Sequence, residues 1–403
     1  MIENKKILIV TEVFYPEEFK INDVAMSWKN RGYDVDVLTL EPTYPLGKVF
    51  PGYKNSFLTK NECFGINILR IRAVTGYRDS TFKKILKYLN FMFFGTIIGV
   101  FIGNKYDYIF GFNAGALTSM LPVVAIKKIF KKPVMVWVQD VWPDNVYAYG
   151  FKKTKIISSI LDAFVKFFYH NVTSIAISSK GFESKLRPYV KKGMNFSYAP
   201  NWPDDLDMNV VPAVLSTTKK THFTFAGNIG KVQNLENIIK AFSLLPEGFR
   251  QKAQLNIVGD GSNLIHLKKI ATSSENVVFH GKIARKNMAK FFRASDFLII
   301  SLIDEPIFSA TVPAKTQTYI AAKKPIMAII NGDVADIVSD NNLGISVSPS
   351  DQILIKNAFE FCIDMPKSMS EQFLTNNQKL LKSTFKKEHI INQLTIQLME
   401  SKF

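Results

Sequence analysis

The residues with the clearest chemical potential are Pro313-Ala314-Lys315-Thr316. A lysine stands beside a proline where a short helix is expected to begin, and Pro325 then opens an apolar run, Ile326 to Ile330, that predicts a strand. A helix N-terminus presents unpaired N–H groups and positive partial charge, which suits a phosphate, and Lys315 adds a mobile full charge there. The segment therefore favours a phosphorylated ligand. The alternative interpretation is an ordinary βα turn with a solvated lysine.

Glycine-rich segments follow two other predicted strands in the same half of the chain. Gly227-Asn228-Ile229-Gly230-Lys231 comes after the strand expected at His222–Phe225, and Gly259-Asp260-Gly261-Ser262 comes after the one expected at Gln254–Val258. Glycines let a backbone approach a ligand closely, and ligands of open α/β sheets bind beyond the carboxyl ends of the strands. Each segment alone is a weak signal, but together with Lys315 and Thr316 they predict a nucleotide-phosphate site.

An acid and several polar residues follow the predicted strands of the first half. Asp140, in Gln139-Asp140-Val141-Trp142-Pro143-Asp144, comes directly after the apolar run Val134–Val138. An acid at a strand end can act as a base or hold a substrate hydroxyl, whereas its alternative role is to cap a helix. The loop after the first strand, Ile7–Val10, contains Tyr15, Glu17 and Asn22, and the loop after the second contains Tyr44.

Strand and helix patterns alternate along the whole chain and position these loops. Apolar runs of four to eight residues alternate with helical patterns, which is typical of βαβ units and parallel sheets. Pro200-Asn201-Trp202-Pro203 and Pro212 interrupt this rhythm near the middle. We therefore predict an α/β fold of two doubly wound, Rossmann-like domains, 1–203 and 204–385, facing each other across a cleft, and a C-terminal helix, 386–403, that packs back toward the first domain.

The net charge of +17 indicates anionic partners. These are nucleic acid, phosphorylated substrates or an acidic membrane surface, with general solubility as the alternative. No zinc finger, helix-turn-helix or aromatic RNA-binding signature is present in the sequence, so nucleic acid is not expected. Paired lysines such as Lys83-Lys84, Lys127-Lys128 and Lys152-Lys153 fall in the first half, which predicts that this half faces a negatively charged surface.

Metal chemistry and secretion are not expected. The five histidines are scattered without metal-binding spacing, and Cys63 and Cys362 form neither a disulfide framework nor a metal motif. The apolar run Ile7–Val10 is too short for the core of a signal peptide, so a cytosolic protein is predicted.

The segment from Tyr88 to Ile102 is almost wholly apolar. Gly95, Gly99 and Gly103 recur at four-residue spacing, which is typical of close helix packing. The segment is shorter than the roughly 20 residues that a spanning helix needs. A core helix of the first domain and a helix at a membrane interface, assisted by the lysines before it, both remain open.

Several further segments have the form of one known family. They run over nearly the whole chain: Phe14-Tyr15-Pro16-Glu17-Glu18, Thr43-Tyr44-Pro45-Leu46-Gly47, Gln139-Asp140-Val141-Trp142-Pro143, Ala199-Pro200-Asn201, Phe225-Ala226-Gly227-Asn228-Ile229-Gly230, Ile257-Val258-Gly259-Asp260-Gly261 and Val312-Pro313-Ala314-Lys315-Thr316-Gln317. Together they resemble the retaining glycosyltransferases of family 4, which have the GT-B fold. The form is most similar to the bacterial O-antigen and capsule branch, which includes L-fucosamine (N-acetyl-fucosamine) transferases.

The resemblance implies a metal-independent transferase without a cofactor. It would move a sugar from a UDP-sugar to an undecaprenyl-diphosphate-linked sugar, working peripherally on the cytoplasmic face of the inner membrane. Asp140 and Lys315 are the implied catalytic residues. The implied acceptor-binding residues are Tyr15, Glu17, Asn22, Tyr44 and Trp142. The implied donor-binding residues are Gly227, Asn228, Gly230, Gln233, Gly259, Thr311, Lys315, Thr316 and Thr318.

The sequence also departs from the family pattern. Members commonly carry two glutamates at the donor sugar, and their places here fall near Ala310 and Thr318. An arginine and a lysine that many members use on the pyrophosphate are replaced by Asn228 and Gln233. These changes increase the contribution that Lys315 is expected to make to binding the pyrophosphate, and they leave the identity of the donor sugar open. A non-hydrolysing UDP-sugar 2-epimerase and a non-catalytic nucleotide-sugar-binding or membrane scaffold protein are the alternatives.

Overall fold

The computed structural model describes residues 5–77, 80–148, 151–216 and 218–401. The chain divides into two units: the N-terminal part up to Pro200 with the segment from Glu388 onward, and Asn201–Lys387. The boundary that we predicted after residue 203 lies just beyond this division. Residues 1–4 and 402–403, at the ends of the predicted first domain and C-terminal helix, lie outside the described residues.

The first unit is built on a sheet that has eight strands in its described residues. Its strands are β1 (Lys6–Val10), β2 (Asp34–Leu40), β3 (Leu58–Cys63), β4 (Ile66–Ile71), β5 (Tyr108–Asn113), β6 (Val134–Val138), β7 (Ser174–Ile177) and β8 (Phe196–Tyr198). They are arranged β3-β4-β2-β1-β5-β6-β7-β8, with β3 antiparallel to β4 and the other pairs parallel. The apolar runs of β1 and β6 form its buried centre.

Helices connect these strands. They are α1 (Lys20–Asn30), α2 (Thr81–Asn90), α3 (Thr96–Gly103), α4 (Leu121–Phe130), α5 (Asp144–Ala148), α6 (Lys155–His170) and α7 (Phe182–Leu186). One wide turn, Phe91–Gly95, joins α2 to α3 so that they form one continuous helical stretch.

The second unit is built on a parallel sheet that has six strands in its described residues. In the order β11-β10-β9-β12-β13-β14, its strands are β9 (Thr221–Asn228), β10 (Ala253–Asp260), β11 (Val277–Gly281), β12 (Phe297–Ser301), β13 (Ile326–Ile329) and β14 (Gly344–Val347). Its helices are α8 (Leu235–Ser243), α9 (Glu247–Arg250), α10 (Leu264–Ile270), α11 (Arg285–Ala294), α12 (Pro306–Ser309), α13 (Lys315–Ala321), α14 (Asp333–Asp340), α15 (Gln352–Ile363) and α16 (Lys367–Lys382).

The last helix, α17 (Lys387–Glu400), belongs to the first unit from Glu388 onward. Its Thr395 hydroxyl accepts a hydrogen bond of 2.8 Å from the indole Nε1 of Trp28, which is fully buried in α1. Arg31 and Glu388 add an ion pair of 3.3 Å between the same two helices. The polar contacts therefore fix the position of α17 against α1.

The glycines of the apolar segment, spaced four residues apart, pack closely against a neighbouring helix, as their spacing predicted. A Cβ atom on Gly95 would lie 3.2 Å from Pro122, and one on Gly103 would lie 2.8 Å from Ile126. Both contacts are with α4. This edge of α3 can approach α4 closely because it carries no side chains.

Two details of the predicted strands were wrong. Strands β9 and β10 continue through Asn228 and Asp260, so the glycines assigned to loops belong to strand ends. Strand β3, which pairs with β4, was missed because it is a largely exposed edge strand with a polar sequence rather than an apolar run.

Candidate functional site

Lys315 lies at the carboxyl end of β9, at the start of α13. Its Nζ is 3.8 Å from the ring centroid of Phe225 and 3.0 Å from the place where a Cβ atom on Gly227 would stand. The side chain is half-buried over this ring, unlike the solvated lysine of the alternative interpretation. The ring face of Phe225 attracts the ammonium and holds it in place.

The helix that carries Lys315 is fixed to β9 by a second residue. The Tyr319 hydroxyl accepts a hydrogen bond of 3.0 Å from the Ala226 backbone N–H and donates one of 3.2 Å to the Ala226 carbonyl. Both hydrogen bonds lie in the buried interior, where such contacts are costly to lose. As a result Lys315 and the end of β9 keep one relative position.

Two glycines bring the ends of β9 and β10 together. Gly227 and Gly259 are partners in the parallel register, with φ angles of 144° and 142° that favour glycine. A Cβ atom on Gly259 would stand 1.8 Å from the Gly227 carbonyl oxygen, closer than any side chain could fit. The sequence therefore keeps the backbone bare beside the Lys315 ammonium.

Asn228, Gly230 and Gln233 form a neutral cluster that continues from β9. The Gly230 N–H donates to Gln233 Oε1 at 2.9 Å, and a Cβ atom on Gly230 would stand 3.0 Å from Asn228 Nδ2. The structure thus brings together three of the predicted donor-binding residues. The cluster carries amide groups, and its one cation is the exposed Lys231.

The three threonines of the predicted donor site have different surroundings. Thr316 is fully buried, and its hydroxyl has no hydrogen-bond partner among the described residues. The Thr311 hydroxyl donates to the Ile307 carbonyl at 2.7 Å, and the Thr318 hydroxyl donates to the Ala314 carbonyl at 3.3 Å. Thr311 and Thr318 therefore satisfy their hydroxyls on their own helical turns.

Burial lowers the pKa of the Lys315 ammonium from its usual 10.5 to about 7. Desolvation is the only cause, because no carboxylate of the described residues acts on the ammonium. A bound phosphate would stabilise the charged form and raise this pKa again. The Lys315 ammonium therefore has no carboxylate counter-ion among the described residues.

In the first unit, Glu17 and Asn22 organise the loop after β1. The Glu17 carboxylate accepts backbone N–H groups of Phe14 at 3.2 Å, Thr43 at 2.9 Å and Tyr44 at 2.6 Å. Asn22 accepts from the Tyr15 N–H at 3.0 Å and donates to the Glu17 carbonyl at 2.7 Å. The geometry gives both residues a positioning role, since their polar atoms bind backbone.

The aromatic side chains that these contacts position are exposed. Tyr15 packs edge-on against Phe64 with 5.3 Å between ring centroids, and Tyr44 packs against Phe19 at the same distance. Tyr15, Tyr44 and the half-buried Trp142 each precede a cis proline. These three rings are available to contact a ligand of the first unit.

Asp140 is held by a neighbouring amide after β6. Asn145 Nδ2 donates to Asp140 Oδ1 at 2.8 Å, and α5 begins only at Asp144. Burial raises the pKa of Asp140 to about 6, while the Asn145 hydrogen bond acts in the opposite direction. Burial and the nearby Asp140 also raise the pKa of the Tyr169 hydroxyl. A carboxyl with a pKa near 6 is suited to exchange a proton close to neutral pH.

A buried ion pair beside these loops was missed from the sequence. Lys87 Nζ of α2 lies 3.7 Å from Glu12 Oε2, and both side chains are buried. Burial raises the pKa of Glu12, and Lys87 partly offsets that effect. The only sequence signal was a lysine within an apolar helix. No cluster of His, Cys, Asp or Glu that could hold a metal ion is found in the part of the chain that the structure describes.

Comparisons with known proteins extend these observations. Residues 211–380 match the family described as "Glycosyl transferases group 1". The chain is 26% identical over 259 residues to WbjE of Pseudomonas aeruginosa, named as a glycosyltransferase, covering 61% of this chain and 63% of that protein. It is 24% identical over 258 residues to WcaI of Escherichia coli K12, named as a colanic acid biosynthesis glycosyl transferase, covering 60% and 61%. The chain thus spans less than two thirds of the length of these curated relatives.

Solved structures show the fold over the full chain. Sucrose-phosphate synthase from Thermosynechococcus elongatus aligns with a TM-score of 0.71 at 16% identity, covering 98% of this chain and 99% of that one. HepE of Anabaena, solved in complex with UDP, aligns with a TM-score of 0.67 at 13% identity, covering 98% and 99%. The fold is GT-B, with two α/β Rossmann-like units, as the sequence predicted. The likeness to group 1 glycosyltransferases thus covers residues 211–380, and both relatives are named as glycosyltransferases.

Proposed function

We propose that the protein is a retaining glycosyltransferase that moves a sugar from a UDP-sugar to a lipid-diphosphate-linked sugar. The proposed setting is bacterial O-antigen or related polysaccharide assembly at the cytoplasmic face of the inner membrane, with N-acetyl-L-fucosamine as the proposed donor sugar. The names of WbjE and WcaI and the UDP bound by HepE support a nucleotide-sugar donor and a polysaccharide product.

One observation carries the donor half of this proposal. Lys315 Nζ lies beside the bare backbone of Gly227 at a strand end, and no carboxylate of the described residues neutralises it. A diphosphate placed there would accept hydrogen bonds from the ammonium and neutralise its charge. Stabilising the charge that develops on the departing UDP would be the largest catalytic contribution of these residues.

The acceptor half is assigned to the first unit. Tyr15, Tyr44 and Trp142 offer exposed or half-exposed rings, and stacking against a sugar ring suits such side chains. Asp140, whose pKa is about 6, would be ionised at neutral pH and would orient the attacking hydroxyl by accepting its hydrogen bond. In a retaining reaction the leaving diphosphate itself would accept the acceptor proton. The comparisons favour this function over the 2-epimerase.

A ligand panel tests the donor assignment first. We expect UDP to raise the melting temperature of the full-length protein more than GDP or dTDP does, since a ligand that binds only the folded state stabilises it. Lys315→Met should abolish this shift, whereas Lys286→Met, which changes an exposed lysine of α11 in the same unit, should retain it. An unchanged shift in Lys315→Met would refute the role of Lys315.

A turnover assay then tests the reaction. We expect UDP to be released from a UDP-sugar only when a lipid-linked sugar acceptor is added, and Lys315→Ala to lower that rate by about two orders of magnitude or more. Interconversion of UDP-sugars without an acceptor would instead identify an epimerase. UDP binding without any turnover across a panel of donors and acceptors would favour a binding protein.

A further inference from the structure

The helical layer formed by α2, α3, α4 and α6 exposes many large apolar side chains. Phe82 and Phe101 are 73% and 83% exposed, and Ile156 is 74% exposed. Ile85, Leu86, Leu89, Phe93, Ile97, Ile129, Ile157, Ile160 and Phe167 are also exposed. Contiguous apolar surfaces of this kind mark interaction sites in soluble proteins. We call this surface the apolar face.

The orientation of α2 is inverted relative to an ordinary amphipathic helix. Among its described side chains the buried one is Lys87, whereas Phe82 and Leu89 point outward. Exposed apolar residues then recur every four positions from Ile85 to Phe101, while the glycine stripe of the same helix packs against α4. The helical stretch thus packs on its unit through its glycines, Lys87, Phe91 and Ile98, and leaves its apolar stripe exposed.

The exposed residues form one surface rather than separate spots. Gly99 of α3 packs against Ile126 of α4, where a Cβ atom would lie 3.4 Å from Ile126 Cδ1. Lys128 of α4 stands 4.6 Å from the ring centroid of Phe167 in α6. Every side chain of α6 from Lys155 to Phe164 is exposed or half-exposed. The helices α3, α4 and α6, which carry parts of the apolar face, are therefore neighbours.

The charges around the apolar face have one sign. Segments 81–103, 121–132 and 151–170 contain eleven lysines and a single acid, Asp162. The Asp162 carboxylate accepts a hydrogen bond of 2.6 Å from the Tyr189 hydroxyl, so it is already engaged. Apolar side chains bordered by lysines complement a surface with negative headgroups above hydrocarbon.

We propose that the apolar face binds an anionic lipid bilayer, with its phenylalanines and isoleucines at the level of the headgroup–acyl boundary and its lysines among the headgroups. The proposal rests on the proposed function, because a lipid-linked acceptor brings the enzyme to such a surface. By length and composition the helix Phe82–Gly103 could also cross a membrane. Its glycine stripe is packed against α4, which favours a helix lying along the bilayer.

The same helix connects the bilayer to the loops of the first unit. Lys87 lies on the side of α2 opposite to the apolar stripe and pairs with Glu12, which follows β1. The loop held by Glu17 begins two residues further on. A bilayer bound to the apolar face would therefore be held at a fixed position relative to Tyr15 and Tyr44.

Co-sedimentation of the full-length protein with vesicles tests the proposal. We expect binding to vesicles of phosphatidylglycerol and phosphatidylethanolamine, and little binding to phosphatidylcholine alone. Phe93→Ser/Phe101→Ser should weaken the partition coefficient about tenfold or more. Lys83→Glu/Lys84→Glu should weaken it about 20-fold or more, since each lysine near an anionic surface contributes about fivefold.

Matched variants of the second unit serve as controls. Ile265→Ser/Leu354→Ser changes exposed apolar residues there, and Lys268→Glu/Lys269→Glu changes an adjacent lysine pair in α10. Both should bind vesicles as the unmodified protein does. Equal binding losses in these controls, or no vesicle binding by the unmodified protein, would overturn the proposal. A dimer in solution that Phe93→Ser/Phe101→Ser dissociates, seen by mass photometry without vesicle binding, would also overturn it.

The assay separates this proposal from the proposed function. Vesicle binding is measured without substrates, and UDP binding is measured by thermal shift without vesicles. If UDP stabilises the protein but vesicles do not bind, only the lipid-binding face fails. If vesicles bind but UDP gives no shift, the apolar face stands and the donor assignment fails.

Discussion

The coupling of UDP binding to a proton on Lys315 is the most direct test of the donor site. In the free protein burial lowers the pKa of Lys315 to about 7. A diphosphate beside the ammonium stabilises its charged form, so the bound protein holds the proton at higher pH than the free protein does. UDP affinity should therefore be constant well below pH 7 as far as Lys315 is concerned, and should fall as the pH rises above 7.

The size of this effect follows from the fraction of protonated lysine. With a pKa of about 7, about half of the free protein carries the ammonium at pH 7 and about 3% carries it at pH 8.5. If the bound pKa lies well above 8.5, the dissociation constant of UDP rises about 15-fold across this interval. The terminal phosphate of UDP, with a second pKa of about 6, is largely ionised over the same range.

Isothermal titration calorimetry checks the prediction. At pH 8, titrations in two buffers with different ionisation enthalpies should report uptake of about 0.9 proton for each UDP bound. Lys315→Met should bind UDP about 10- to 100-fold more weakly at pH 7, because a charge-assisted hydrogen bond is lost, and should take up no proton. Lys286→Met should match the unmodified protein. A dissociation constant that changes less than about threefold between pH 7 and 8.5 would refute the reasoning.

Three further changes test other parts of the structure. Lys87→Met leaves the buried Glu12 carboxylate unpaired and should lower the free energy of unfolding by about 3–5 kcal/mol in urea titrations at pH 7.5. The double variant Lys87→Met/Glu12→Gln should recover most of that loss, and no recovery would contradict a direct ion pair. Asp140→Asn should leave UDP binding intact and lower turnover about 10²-fold, because the attacking hydroxyl is no longer oriented by a carboxylate. The unmodified enzyme should lose kcat/KM as the pH falls below about 6, where Asp140 becomes protonated. A turnover rate of Asp140→Asn equal to that of the unmodified enzyme would remove Asp140 from the mechanism. Thr318→Glu places a carboxylate one helical turn from Lys315, which should raise the pKa of the lysine. The pH at which UDP affinity begins to fall should therefore move upward in the same calorimetric titration. An unchanged pH dependence would show that the two positions do not interact.

The strand ends could be predicted because short apolar runs, bounded by glycine and proline, mark the strands of the βα units. Strand β6, for example, begins and ends with the predicted apolar run Val134–Val138. Once the strands are known, the parallel topology brings the segments at Gly227, Gly259 and Lys315 to one edge of a sheet. The GT-B fold was therefore accessible from sequence pattern and family resemblance together.

The roles of individual charged side chains could not be predicted in the same way, because they depend on distances that no pattern encodes. Glu17 was expected to bind the acceptor, yet its oxygens are occupied by three backbone N–H groups. Lys315 was expected at a phosphate site, but the sequence did not indicate that it lies over Phe225. Lys87 sits in an apolar helix that gives no sign of Glu12 as its partner. Burial, rather than residue type, decides each of these roles.

The neutral residues at Ala310 and Thr318 and the lowered pKa of Lys315 have one physical explanation. Ala310 is buried, and the Thr318 hydroxyl is bonded to a helical carbonyl, so neither supplies a carboxylate to the ammonium. A glutamate at position 318, one turn from Lys315, would raise that pKa and compete with the diphosphate for its charge. Without it, no carboxylate at position 318 competes with the ligand for the lysine, while fewer groups remain to hold sugar hydroxyls. The site should therefore discriminate among donors mainly by their diphosphate and nucleoside, and a 6-deoxy sugar with an N-acetyl group suits it because such a sugar offers fewer hydroxyls to bind.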